Sequence, residues 1–164
     1  KELSKKVITE KADIGFAFDG DGDRLIAVNE KGEEVDGDNL IALFANNLLK
    51  LKKLKKKTIV STVMSNLGFE KYLKNKLGIK LIRENVGDIN VITQMKKNSY
   101  DLGGEQSGHI ILGQFMSTGD GILAALKITE MLSNQNFKSS QLFKLYKKYP
   151  QIKTNIKITK KKFI

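Results

Sequence analysis

The sequence predicts an α/β protein built on mixed sheets. Three observations carry this prediction: short apolar runs rich in β-branched and aromatic residues, longer segments whose Leu and Ile recur at helical spacing, and regular alternation of the two from residue 58 onward. The apolar share of 40% and charges of both signs belong to a chain that folds around a hydrophobic core, and 164 residues suffice for one large domain or two small ones.

Ile14, Phe16 and Phe18 alternate with small residues and predict a first strand, and Leu25, Ile26, Ala27 and Val28 predict a second. Asn29-Glu30-Lys31-Gly32 then has the composition of a hairpin turn. Asp36 or Asp38 can cap a helix in which Leu40, Ile41, Phe44, Leu48 and Leu51 recur at helical spacing, and this helix is expected to close the first unit. The Lys-rich run 50–57 reads as the helix end and a linker, where cations suit the carbonyl end of the helix dipole. Strand 58–63, helix 67–77, strand 79–83 and helix 86–97 follow, then a strand near 100–102, a Gly-rich loop at 103–108 and a strand at 109–112. Thr118-Gly119-Asp120-Gly121 opens a helix containing Ile122, Leu123, Leu126 and Leu132. Ser139 or Ser140 begins a shorter one expected to end near Tyr149, with Pro150 as its stop. The tail 153–164 alternates Ile with polar residues, as a strand or an extended connector does.

The absence of Cys excludes disulfides and thiolate ligands, so a bound metal must be held by oxygen or by the single His109, which points to a hard cation. No apolar run approaches the roughly 18 residues a membrane helix needs. Residues 1–6 lack the apolar stretch of a secretory signal, so a cytoplasmic protein without a membrane partner is expected. A formal charge of +11 raises the question of nucleic acid, whose phosphates attract clustered Lys and Arg. Only Arg24 and Arg83 could make bidentate base contacts, however, and the run 50–57 has no aromatic residue on which a base could stack. A Lys-rich solvated surface is the better reading, and no nucleic-acid partner is expected.

Between the first two strands lies Asp19-Gly20-Asp21-Gly22-Asp23-Arg24. Carboxylates at alternate positions, separated by glycines, can converge on one cation because Gly permits a tight bend, and a bare turn would not gather three like charges. A solvated Asp-Gly hairpin is the plain alternative. A calcium loop of the EF-hand kind is a second, since Asp19, Asp21, Asp23 and Glu30 have its spacing. Arg24 stands where that loop needs Gly, and strands flank the loop where helices are required. Mg²⁺ with an open position for a phosphate oxygen is therefore favoured. Arg24 is placed either to pair with that phosphate or to form a structural ion pair.

Gly103-Gly104-Glu105-Gln106-Ser107-Gly108-His109 gathers an acid, an amide, a hydroxyl and an imidazole within five residues. This mixture suits a sugar, whose vicinal hydroxyls need carboxylate and hydroxyl partners and whose chemistry needs a group titrating near neutrality. An ordinary polar loop with a structural His has the same composition.

Together the two loops resemble the α-D-phosphohexomutase superfamily, and within it the phosphoglucosamine mutase branch. The resemblance runs through residues 12–18 and the acidic loop, Val35-Asp36-Gly37-Asp38, Met64-Ser65-Asn66-Leu67-Gly68, Val86-Gly87-Asp88, residues 104–109 and Thr118-Gly119-Asp120-Gly121. Met64-Ser65-Asn66-Leu67-Gly68 and Gln106 favour the aminosugar branch over the phosphomannomutase and phosphoglucomutase branches. What the resemblance implies is a four-domain isomerase in which a phosphoserine of the first domain exchanges its phosphoryl group with glucosamine 6-phosphate or glucosamine 1-phosphate through a bisphosphate. Asp19, Asp21 and Asp23 would then bind Mg²⁺, Arg24 would stabilise the transferring phosphoryl group, and Glu105 and Ser107 would hold sugar hydroxyls. His109 would be a general base or a polar contact near the reacting hydroxyl. Residues 1–55 would end the second, metal-binding domain as an incomplete unit, 56–149 would form the third, sugar-recognition domain, and 150–164 would lead toward a fourth. Domains one and four would be partners supplied from elsewhere in the enzyme, and the resemblance admits a homodimer of the full-length form. Two departures stand out. Ile89-Asn90 replace the usual Arg-Tyr after Val-Gly-Asp, and no Ser-His-Asn-Pro-like phosphoserine segment occurs, so the chain by itself is expected to be inactive.

Overall fold

The computed structural model describes residues 1–134 and 136–154. Helix α1 (Glu2–Thr9) leads into an antiparallel sheet of β1 (Ile14–Phe18), β2 (Leu25–Asn29) and β3 (Glu34–Val35), in that order. The β1–β2 register pairs Phe18 with Leu25 and Ile14 with Asn29, so the acidic loop is the hairpin connection. Helix α2 (Gly37–Lys50) follows directly, its first turn capped by the Asp36 carboxylate, which accepts the Asn39 N–H at 3.1 Å.

A second sheet of four strands has the order β5-β4-β6-β7, formed by β4 (Thr58–Thr62), β5 (Lys80–Glu84), β6 (Leu102–Gly104) and β7 (Ile110–Leu112). β4 is parallel to β5 and β6, whereas β6 and β7 are antiparallel, which makes the sheet mixed as expected. Helix α3 (Leu67–Tyr72) continues as a π-helical turn (Leu73–Leu77) that ends on Gly78 at φ +64°, and α4 (Asp88–Asn98), α5 (Gly121–Ser133) and α6 (Ser139–Leu142) are the remaining helices among the described residues. Period-two alternation divides the strands between two faces. Ile59, Leu102, Ile110 and Leu112 join the main core with α2 and α5, while Val60 and Ile111 pack with Val91 and Met95 of α4 on the opposite face.

Helix α2 packs chiefly on the second sheet and α3. Its neighbours are β6, β7, α3 and the π-turn, and Leu40, Ile41 and Phe44 sit at the centre of a core shared by residues of both sheets. Among the described residues β1 is an edge strand, with Phe18 and Ile26 exposed. Two elements escaped the sequence reading. In α1 the signal is only Leu3 and Val7 four residues apart, which close over Gly15, where an added Cβ would stand 2.5 Å from Val7. β3 is two residues long. The helix expected to reach Tyr149 stops at Leu142, because tertiary partners take over: Tyr146 packs near Phe69 and Tyr72, and Tyr149 exchanges backbone hydrogen bonds with the Asn66 side chain at 2.8 and 3.0 Å. Most of the tail, 155–164, lies outside the described residues.

Candidate metal and sugar site

In the acidic loop Gly22 turns at φ +74°, with its N–H donating to the Asp19 carbonyl at 3.2 Å and the Arg24 N–H donating to Asp19 Oδ1 at 3.2 Å. This bend brings one carboxylate oxygen from each of Asp19, Asp21 and Asp23 within 4.8 Å of the others. Asp19 Oδ2 and Asp23 Oδ1 are buried and receive no hydrogen bond. Arg24 Nε lies 2.6 Å from Asp19 Oδ2 and 3.6 Å from Asp23 Oδ1, an ion pair whose N–H is not aligned with either oxygen. Burial pushes the Asp19 carboxyl upward, but the Arg24 backbone N–H and guanidinium outweigh it and hold the group below its usual range. Asp19, in turn, raises Arg24. Three converging carboxylates, two of them with a buried oxygen that receives no hydrogen bond, fit a hard divalent cation.

The calcium-loop alternative fails at Glu30. Its carboxylate accepts the Ser140 N–H at 2.8 Å and both the Ser139 and Ser140 hydroxyls, so it fastens α6 to the hairpin and does not face the aspartates. Burial there is overcome by these hydrogen bonds, which bring the group down to about 2.

Two glycine-rich segments brace the acidic loop. The Leu25 N–H donates to Gly108 O at 3.1 Å beside a bridge between Arg24 and His109, and the Gly121 N–H donates to Gly22 O at 3.0 Å. Gly108, at φ +99°, passes so close that a Cβ would stand 2.2 Å from Leu25 O, so only Gly fits. His109 is 2% exposed, with Nδ1 at 2.9 Å from Asp23 Oδ2 and Nε2 at 3.2 Å from the Gly119 N–H. Both ring nitrogens therefore have protein partners in this structure, the Asp23 carboxylate and the Gly119 N–H.

Glu105 and Ser107 lie on a polar turn. The Glu105 N–H donates to His109 O at 2.9 Å and the Gly108 N–H to Glu105 O at 3.0 Å, closing the turn, while Glu105 Oε1 accepts the Gly87 N–H at 3.1 Å. A cleft of about 480 Å³ is lined by Arg24, Met64, Glu105, Gln106, Ser107 and Lys153, among others. The arginine of the acidic loop and both proposed sugar ligands thus share one opening, together with two residues that mark the aminosugar branch. At the Arg-Tyr replacement, Ile89 is 65% exposed, and Asn90 Nδ2 donates back to Asn85 O and Val86 O at 3.3 and 3.2 Å.

Two supporting residues had weak sequence signals. Asp38, read as an alternative cap, is fully buried and accepts the Asn66 N–H at 2.7 Å, the Ser65 hydroxyl at 2.9 Å and Gln106 Nε2 at 3.3 Å. It ties the 64–66 loop to the sugar loop. Burial, helped by the charge of Asp36, raises its carboxyl against these donors. Arg83, read only as a strand residue, donates to Ser65 O at 2.8 Å and to Glu70 Oε2 at 2.8 and 3.2 Å, supporting the same loop from outside. The one advance signal for Asp38 was a second carboxylate two residues from a cap that needs only one.

Residues 36–149 match the family described as phosphoglucomutase/phosphomannomutase, alpha/beta/alpha domain III. The chain belongs to this family. It is 48% identical over 162 residues to the phosphoglucosamine mutase of Campylobacter curvus, a match that covers 99% of the chain and 36% of that protein. The chain thus spans about a third of the length of the curated relatives it matches. Among solved structures, a phosphoglucomutase/phosphomannomutase family protein from Burkholderia thailandensis superposes with a TM-score of 0.80 at 27% identity, over 88% of this chain and 31% of the other. The N-acetylphosphoglucosamine mutase of Aspergillus fumigatus, in complex with GlcNAc-6P and magnesium, shares the fold at a TM-score of 0.68 and 19% identity, over 82% of this chain and 36% of that one. Among the described residues no helix is long and apolar enough to cross a membrane.

Proposed function

We propose that this chain supplies the magnesium loop and the sugar-recognition loop of a phosphosugar mutase that interconverts glucosamine 6-phosphate and glucosamine 1-phosphate. The observation that carries the reading is the one cleft lined by Arg24, Glu105 and Ser107, next to a loop whose three carboxylates converge within 4.8 Å of one another. Asp19, Asp21 and Asp23 would hold Mg²⁺, which when bound supplies positive charge to a transferring phosphoryl group. Arg24 is a cation at the cleft wall for the same phosphate, and its ion pair with Asp19 keeps it there. Glu105 and Ser107 accept and donate to sugar hydroxyls, their turn fixed by Gly87, Gly108 and His109. Met64 and Gln106, which favour the aminosugar branch in the resemblance, line the same cleft.

Because α2 packs on the four-stranded sheet and the family match begins at residue 36, we place the boundary between the metal-binding and sugar-recognition units just before Asp36 and not near residue 55. The phosphoserine would come from another domain of the enzyme, and the expected inactivity of the chain alone follows from that.

The test is a chimera in which this chain replaces the matching segment of the Campylobacter curvus phosphoglucosamine mutase. Conversion of glucosamine 6-phosphate to glucosamine 1-phosphate should survive the exchange and be lost in Asp21→Asn and Glu105→Ala. A folded chimera that binds Mg²⁺ yet converts neither sugar phosphate would refute the proposal.

A further inference from the structure

His109 lies between the two loops, and its partners determine what it can do. A backbone N–H can only donate, so the Gly119 N–H at 3.2 Å requires Nε2 to be an acceptor. The ring proton is then on Nδ1, where it points to Asp23 Oδ2 at 2.9 Å. Asp23 Oδ2 is thereby occupied, while Asp23 Oδ1 is the buried oxygen with no hydrogen-bond partner. The close approach needs Gly at 119: a Cβ there would stand 2.4, 2.5 and 2.7 Å from three atoms of the imidazole. The same segment holds the loop from behind, through Gly121 N–H to Gly22 O at 3.0 Å.

We propose that His109 is a positioning residue, whose Nδ1–H anchors one oxygen of Asp23 and so turns the other to the cation, with Gly119 fixing the tautomer. The inference rests on the reading of the acidic loop as a Mg²⁺ site. It assigns the imidazole a task on the metal side of the cleft and none on the sugar. Removing such an outer partner commonly weakens metal binding by about 10–100-fold.

Two measurements on the full chain test this. His109 is the only histidine, so a long-range ¹H–¹⁵N spectrum of histidine-labelled protein reports its tautomer without assignment; a proton on Nδ1 is expected, and a proton on Nε2 overturns the proposal. Calorimetric titration with Mg²⁺ then compares His109→Asn, whose amide can donate near the Nδ1 position, with His109→Gln, whose amide reaches toward Nε2. His109→Gln should lose about 10–100-fold in affinity, and His109→Asn should retain most of it. Equal affinities in wild type and His109→Gln overturn the positioning role alone, whereas a wild type that takes up no Mg²⁺ overturns the metal reading beneath it. If His109→Gln does not fold, Gly119→Ala displaces the ring with the histidine still present, and the same loss of affinity is expected.

Discussion

Replacing Asp38 tests the support of the sugar loop. The carboxylate is fully buried and satisfies the Asn66 N–H at 2.7 Å and the Ser65 hydroxyl at 2.9 Å, both on residues at most 5% exposed. Asp38→Ala leaves the Asn66 N–H unpartnered, while the Ser65 hydroxyl can turn to Ser61 Oγ at 2.7 Å, so a total of about 2–3 kcal/mol is expected. Urea unfolding followed by circular dichroism should show this as a midpoint lowered by about 1 M, given a slope of about 1–3 kcal/mol/M. Asp38→Asn should cost far less. Ser65 Oγ lies 2.7 Å from Ser61 Oγ, and Ser61 donates to Gly104 O at 2.7 Å, so an amide NH₂ at position 38 can donate to Ser65 and complete the chain of hydrogen bonds. The pH dependence separates the two effects. Burial raises the Asp38 carboxyl above its unfolded value, so its favourable contribution is full below about pH 4 and is lost as pH rises through the folded value. Wild type should therefore lose ground to Asp38→Asn as pH rises from about 4 through the raised folded value. An Asp38→Ala cost below about 1 kcal/mol, or a difference from Asp38→Asn that is flat in pH, would refute the reasoning.

Two further substitutions probe the frame around the cleft. Gly37→Ala would place a Cβ 2.0 Å from Glu105 O and 2.8 Å from Gly108 N, backbone against backbone, so a loss of about 3 kcal/mol with displacement of the sugar loop is expected, while Gly20→Ala, with no atom within 4 Å, should be near neutral in thermal unfolding. Glu30→Gln removes a carboxylate held down at about 2 by Ser139 and Ser140; its stability contribution is present above the unfolded value near 4.5 and is lost as pH falls toward 2, so the variant should be about 1–2 kcal/mol less stable at pH 7 and equal to wild type near pH 2.

Much of this arrangement was legible because the signals are local. The hairpin around the acidic loop follows from β-branched and aromatic alternation on either side of Asp-Gly repeats, and α2 follows from apolar spacing behind a capping Asp. Long-range pairing is what the sequence concealed. Nothing local shows that α2 packs on the second sheet, since its apolar face would suit either. The helix expected to reach Tyr149 is cut short by contacts with Asn66, Phe69 and Tyr72, more than 70 positions away in the chain. His109 was legible as a residue of the site, but nothing local shows that its ring faces Asp23, 86 residues earlier, and a Gly119 whose missing side chain leaves it room. Asp38 was hidden for a similar reason: a buried carboxylate is intelligible only once its three donors are known.

The central claim, that the acidic loop and the Glu105–Ser107 turn serve one phosphosugar cleft, is tested most directly by residue-resolved NMR of the chain titrated first with Mg²⁺ and then with glucosamine 6-phosphate. Mg²⁺ should shift the amides of residues 19–24 and, through His109, those near 119, and the sugar phosphate should then shift Arg24 and residues 104–108 together. Mg²⁺ shifts that bypass the aspartates, or a sugar phosphate that moves neither loop at millimolar concentration, would contradict the account.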